Sequence, residues 1–505
     1  MKTLLLPLDE RPCNFIYPQM IGASNDEIQV FMPHKETLGD KKKAADFNEI
    51  ERFLIRNASQ GTQDNCTCIV LSIDMLVYGG LIPSRIHCLS KEEALLRMDV
   101  IKTIKKAKPE ITIYAFTCIM RTPQYNSSDE EPDYYADYGY ALFRRKYLLD
   151  YQARQGLNEQ ELAELKVIQI PEVIVKDYET RREFNEFINV EAINYLEAGL
   201  IDFLVIPQDD SSPYGYAAIS QKNVIRQVKE KNLDTKVMIY PGADEVALSL
   251  LTRAYHDFRE IEPKVYPFYS SVLGPTIVPL YEDRPMFESL KAHTRVCKTK
   301  LVTNPEAANF ILAVNSPGKI MQDTHDKDFD ITYTSYRNLL DFALQIKDYI
   351  EAGKPVAVCD SAYCNGGDIQ LIRYLDELDI LDKLISYAGW NTNCNTLGTT
   401  LAQACIGKGV NLHNLLYRII EDGCYQSVVR HEVAKDLPKM QLTYDNISPA
   451  LIETENVIKE KLQMYYETLQ LSKKHPVKIN KIYSPWKRMF EIGMDIELCK
   501  NEYTG

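Results

Sequence analysis

Short apolar runs rich in β-branched residues recur along the chain, and each leads through a polar turn into a longer amphipathic stretch. Leu4–Leu8, Ile28–Met32, Cys68–Ile73, Ile111–Thr117, Phe203–Pro207, Val237–Tyr240, Thr276–Leu280, Phe310–Val314, Val356–Cys359 and Leu384–Tyr387 read as strands. Lys91–Lys106, Thr180–Glu197 and Ser335–Glu351 have helical spacing. Continuous apolar strands separated by helices predict parallel sheets covered on both faces. The fold class is therefore α/β, with a (β/α) barrel-like or doubly wound arrangement. We expect a barrel-like catalytic domain over 1–260, a second α/β region over 261–408 that contributes to the site, and a mainly helical region over 409–505. The breaks near Glu260–Pro263 and Ile406–Val410 suggest these boundaries.

A chain of 505 residues has room for two or three domains. Its formal net charge of −13 argues against a nucleic-acid surface and against an anionic membrane surface, both of which need clustered Lys and Arg. The triplet Lys41-Lys42-Lys43 reads as a solvated helix face. At the N-terminus, Pro7, Asp9, Glu10 and Arg11 interrupt any signal-like apolar stretch, and no run is long enough for a membrane helix. A cytoplasmic protein with free thiols is expected. The twelve cysteines are scattered and lack paired zinc spacing; the eight histidines show no HExxH. No Walker or GxGxxG motif is present, so no cofactor is predicted.

The polar residues concentrate where strands end. The first strand runs into Asp9-Glu10-Arg11-Pro12, the third into Asp74 and then Ser84-Arg85, and the fourth into Arg121-Thr122-Pro123. Later strands deliver Asp209-Asp210, Asp244-Glu245, the loop Asp360–Asp368 with Asn365 inside it, and Trp390-Asn391. In parallel α/β folds these carboxyl ends converge on one face, where ligands bind. Turn chemistry explains any one loop; a shared polar pocket better explains the set. Asp209-Asp210 is the sharpest candidate. Adjacent carboxylates raise the pKa of one partner, which can supply an acid and an anion from one turn. The pair could also cap a helix or ligate a metal. Asp244 and Glu245 suit ligand hydroxyls or a helix start. Trp390, among three asparagines, suits a sugar platform or a buried core. Pro7–Pro12 (PLDERP) is faintly echoed by Pro279–Pro285 (PLYEDRP).

Taken together, PLDERP, SIDMLVYGGLIPSR, PGADE and AGWNTNCNTLGT resemble an uncharacterised bacterial family of unknown function, and the resemblance spans most of the chain. Locally, Phe203–Leu250 is similar to the catalytic stretch of the O-GlcNAcase-like β-N-acetylglucosaminidases, which have a TIM barrel. That likeness implies that Asp209 polarises a substrate 2-acetamido group and that Asp210 is the general acid/base. The family's opening strand motif is absent, with PLDERP in its place.

The leading expectation is a glycoside hydrolase-like enzyme with Asp209 and Asp210 catalytic. Asp9, Arg11, Asp74, Arg121, Asp244, Glu245, Asp360, Asn365, Trp390 and Asn391 would bind a small carbohydrate, an amino sugar or glycan fragment, with no metal. The alternatives are a metal-dependent hydrolase or lyase using the same carboxylates, and a non-enzymatic sugar- or nucleotide-binding protein.

Overall fold

A computed structural model describes residues 1–58, 66–326 and 328–499. The chain forms two compact units. Unit 1 contains Met1–Glu10, Glu27–Ala254 and Tyr281–Asp283; unit 2 contains Arg11–Asp26, Tyr255–Leu280 and the chain from Arg284 onward. Residues from 409 onward belong to unit 2.

The sheet of unit 1 consists of β1 (Lys2–Leu6), β2 (Gln29–Phe31), β3 (Cys68–Ser72), β4 (Thr112–Phe116), β5 (Phe203–Gln208) and β6 (Val237–Pro241). Their order is β2-β1-β3-β4-β5-β6, and every neighbouring pair is parallel. No pairing joins β6 to β2 among the described residues, so the sheet is open and the barrel-like expectation gives way to a doubly wound strand order. Apolar periodicity does not separate the two, because both bury their strands on both faces. All five residues of β3 and all six of β5 are buried.

Unit 2 contributes β7 (Lys264–Tyr269), β8 (Lys300–Leu301), β9 (Phe310–Asn315), β10 (Gln322–Asp323), β11 (Val356–Asp360), β12 (Tyr363–Cys364), β13 (Ser386–Ala388), β14 (Val477–Tyr483) and β15 (Gly493–Leu498). Its main sheet is parallel, in the order β13-β11-β9-β7-β8. Counted along the chain, these five strands run 2-1-3-4-5, as do the first five of unit 1. The echoed segments therefore occupy one topological place: each lies between the first strand of its sheet and a helix, Pro12–Ala23 or Met286–Val296.

The strand expected at Thr276–Leu280 is instead a short 3₁₀ turn and irregular chain; the true strand is β7. Pro267 concealed it. The Val265 carbonyl faces β8, accepting from Val302 N–H at 2.9 Å, whereas Ser270 N–H faces β9, donating to Val314 at 3.1 Å. By alternation Pro267 turns toward β8, whose pairing stops at Val265↔Leu301. Its missing N–H thus costs no ladder bond.

Local signals place several helices. Lys91–Ala107 opens with a capping box: Ser90 Oγ accepts from Glu93 N–H at 3.2 Å, and the Glu93 carboxylate accepts from Ser90 N–H at 2.8 Å. Lys41–Lys43 lies in a turn rather than on a helix, with Lys41 at φ 51° and paired to Asp129. In the C-terminal region the helix Leu412–Arg418 continues through a π-helical segment over Ile419–Val429 into the helix Arg430–Ala434; a further helix spans Leu451–Tyr466, and the antiparallel pair β14–β15 follows. All twelve cysteines are free thiols, and no described helix is long and apolar enough to cross a membrane.

Candidate functional site

The carboxyl ends of β1, β3, β4, β5 and β6 supply the polar residues of unit 1. After β3, Ser72 Oγ caps a short helix by accepting from Met75 N–H at 3.1 Å, which sets Asp74 in the first turn. Gly79 follows in the left-handed region at φ 86°, where a Cβ would lie 2.7 Å from Ala45 N. The chain then turns into Pro83–Ile86, which carries Arg85. After β4 come Cys118, Arg121 and the loop bearing Glu130-Glu131. β5 ends in Asp209 and in Asp210, whose φ of 45° is strained for a non-glycine residue.

Two buried arginines tie these carboxylates together. Arg85 donates to Asp209 Oδ2 at 2.5 Å, Glu131 Oε1 at 2.9 Å and Glu130 Oε2 at 3.3 Å. Arg121 donates to Asp210 Oδ2 at 3.1 Å, Glu130 Oε2 at 2.8 Å and Glu131 Oε1 at 2.9 Å. The Asp209 and Asp210 side chains stay 16% and 25% exposed. Burial pushes Asp210 up to about 6; the Arg121 charge opposes the rise and the Asp209 charge adds to it. Asp74 is fully buried. Its Oδ2 accepts from Cys118 N–H at 2.9 Å, and its Oδ1 has no hydrogen-bond partner among the described residues. Burial raises it to about 7. Burial also raises the Cys118 thiol, and the charges of Asp74, Asp209 and Asp244 add to the rise.

Asp9, at the end of β1, is 2% exposed; Asp244 and Glu245, after β6, are 6% and 0% exposed. The glycine of PGADE has a local purpose: at φ 113°, a Cβ on Gly242 would lie 2.6 Å from Glu245 Oε1. The turn after β5 is fastened by the second echoed segment, where the Tyr281 carbonyl accepts from Ser211 N–H at 2.9 Å and Asp283 accepts from Gln221 at the same distance.

The other expected site residues belong to unit 2. Arg11 lies 4.7 Å from the Trp486 ring centre and 3.7 Å from Glu491. Asp360, at the end of β11, accepts from Tyr387 Oη at 2.9 Å, Asn315 at 2.8 Å and Asp368 N–H at 2.8 Å. Burial, then the Asp368 charge, pushes it up to about 7. A Cβ on Gly367 would meet Tyr387 Oη at 2.1 Å, so this glycine lets protein, not ligand, approach. Asn365 and Asn391 are both left-handed, and Asn365 N–H donates to the Asn391 carbonyl at 2.8 Å. Trp390 is 4% exposed: its indole N–H donates to Thr399 at 3.1 Å, and Tyr17 packs edge-on at 5.9 Å. Arg418 lies over the Tyr17 ring and bonds Glu421 and Asp422, which sit in the π-helical segment.

Arg85, Glu130 and Glu131 were not among the expected site residues. Glu130-Glu131 lies in the acidic stretch SSDEEPD, which reads as solvated loop; only the three-dimensional position of two arginines reveals its part. Among the described residues, no group of three or more His, Cys, Asp or Glu is arranged to hold a metal ion. In unit 1 the guanidinium groups occupy the counter-ion position between the carboxylates.

A search among curated proteins returns no match, and the local likeness to O-GlcNAcase-like enzymes finds no support in the comparisons. The whole-chain likeness does: the chain belongs to a family described as Protein of unknown function (DUF4127), whose model matches residues 3–495.

Proposed function

We propose that unit 1 carries the active site of a glycoside hydrolase-like enzyme that acts on a small amino sugar or glycan fragment. Asp210 is its general acid/base. One observation carries this reading: Asp210 is reachable from solvent, bonded to Arg121 at 3.1 Å, and raised to about 6. A carboxyl group near that value can both give and take a proton at neutral pH. Asp209, braced by Arg85, would accept a hydrogen bond from the substrate's 2-acetamido N–H. The acetamido oxygen then attacks the anomeric carbon while Asp210 gives its proton to the departing oxygen. Water attacks the resulting cyclic intermediate and returns a proton to Asp210. Asp9, Asp74 and Asp244 lie buried at the same strand ends, where they shape the site without meeting the substrate.

The test is turnover of chromogenic N-acetylaminosugar glycosides by the wild-type chain and by Asp210→Asn. The variant should bind substrate but lose roughly 10²–10⁴-fold in kcat. Equal turnover by the variant sinks the assignment of Asp210; no hydrolysis of any such glycoside by wild type sinks the substrate class.

A further inference from the structure

Unit 2 contains a cavity of about 810 Å³ that the catalytic proposal does not use. That volume lies within the range of small-molecule sites. Two of its wall residues, Arg337 and Asp368, pair at 2.7 Å and connect to the strand ends through Asn315, which bonds both Asp368 and Asp360. The cavity thus sits where ligands bind in open parallel sheets.

Its wall is aromatic. Tyr333 and Tyr363 stack with ring centres 4.6 Å apart and planes 1° from parallel. Phe329 leans on Tyr363 at 5.1 Å and is 52% exposed. A half-exposed phenylalanine beside a stacked tyrosine pair is an apolar face that a flat ring would cover. The polar wall narrows the choice. Arg337 and Asp368 line the cavity with side chains 5% and 4% exposed, beside the exposed Asn338 and Gln370, and a plain hydrocarbon would leave these polar groups unmatched. Asp368 already neutralises Arg337, so a free anionic group is not the main feature recognised.

We propose that this cavity binds a planar heteroaromatic ligand of the nucleoside class. The ring stacks against Phe329 and Tyr363, and its polar edge meets Arg337 and Asp368.

Calorimetric titration of the full chain with adenosine, guanosine, cytidine and uridine tests this, with adenosine monophosphate and N-acetylglucosamine as comparison probes. At least one nucleoside should bind saturably at one site. Phe329→Ala should weaken it by about fivefold or more, the loss of one stacking face; Phe329 is exposed enough for the variant to fold. Tyr363→Leu provides a second reading, and the melting of both variants is checked alongside. Three outcomes overturn the proposal: no saturable binding of any of the four nucleosides, nucleoside binding unchanged in both variants, or N-acetylglucosamine binding that the same variants abolish.

Discussion

The two units share a strand order but treat the charges at their strand ends differently. In unit 2, Arg418 is 4% exposed and holds Asp422 at 0% and Glu421 at 2%. Tyr17, Trp390 and the π-helical segment seal the group. In unit 1, Arg121 is 11% exposed and holds Asp210 at 25% and Glu130 at 15%. Residue types and pairing are alike; access is not. A sealed ion pair cannot exchange a proton with a substrate, so it acts on the fold. A partly open pair keeps its geometry and also meets solvent. Exposure, rather than the presence of carboxylates, separates a structural cluster from a candidate catalytic one.

The comparison breaks most sharply at the arginines. Arg418→Met should destabilise unit 2 by about 3–5 kcal/mol, because two buried carboxylates lose their partner; denaturant unfolding measures it. A cost below about 1 kcal/mol would mean that the sealed cluster is not structural. Asp210→Asn should do the opposite, leaving the melting temperature nearly unchanged while removing the turnover described above.

The pH dependence of kcat/KM sharpens the unit 1 side. With Asp210 raised to about 6 and serving as proton donor, activity should fall as pH rises through that value. Arg121 lowers the Asp210 value, so Arg121→Gln should move this limb to higher pH. A limb that stays in place would assign it to another group.

The smallest effect expected is on the pH dependence of stability. Burial raises Asp74, Asp360 and Glu421 to about 7. A carboxyl whose folded value exceeds its unfolded value contributes stability that is full below the unfolded value, near 4, and is lost as pH rises through about 7. Asp74→Asn should therefore raise the melting temperature at pH 8 by about 2–4 °C and change it little at about pH 4. An equal shift at both pH values would show that Asp74 is not the titrating group.

Much of the scaffold was legible because burial on both sheet faces leaves a direct mark on composition. Cys68–Ser72 and Phe310–Asn315 contain almost nothing else. Lys264–Tyr269 was hidden because Pro267 is acceptable only where the neighbouring strand has stopped, which is a fact about β8. Barrel and open sheet share one periodicity, so closure left no mark. In the site, Asp209-Asp210 was visible as an unusual pair at the end of an apolar run. Its arginine braces come from residues 85 and 121, and their meeting depends on sheet order. Trp390 shows the reverse limit: a tryptophan among asparagines looks like a ligand platform, and only burial assigns its faces to protein.

The helix Pro12–Ala23 follows the first strand of unit 1 yet belongs to unit 2. During synthesis its lasting partners do not yet exist. Tyr17 donates to Glu421, which lies 404 residues downstream. At typical ribosomal speeds that gap lasts roughly 20–80 s. For that time an early, largely apolar helix has no permanent place to bury itself. Separate expression of residues up to 254 would make the wait endless, leaving an apolar arm that a chaperone or a second copy would hold.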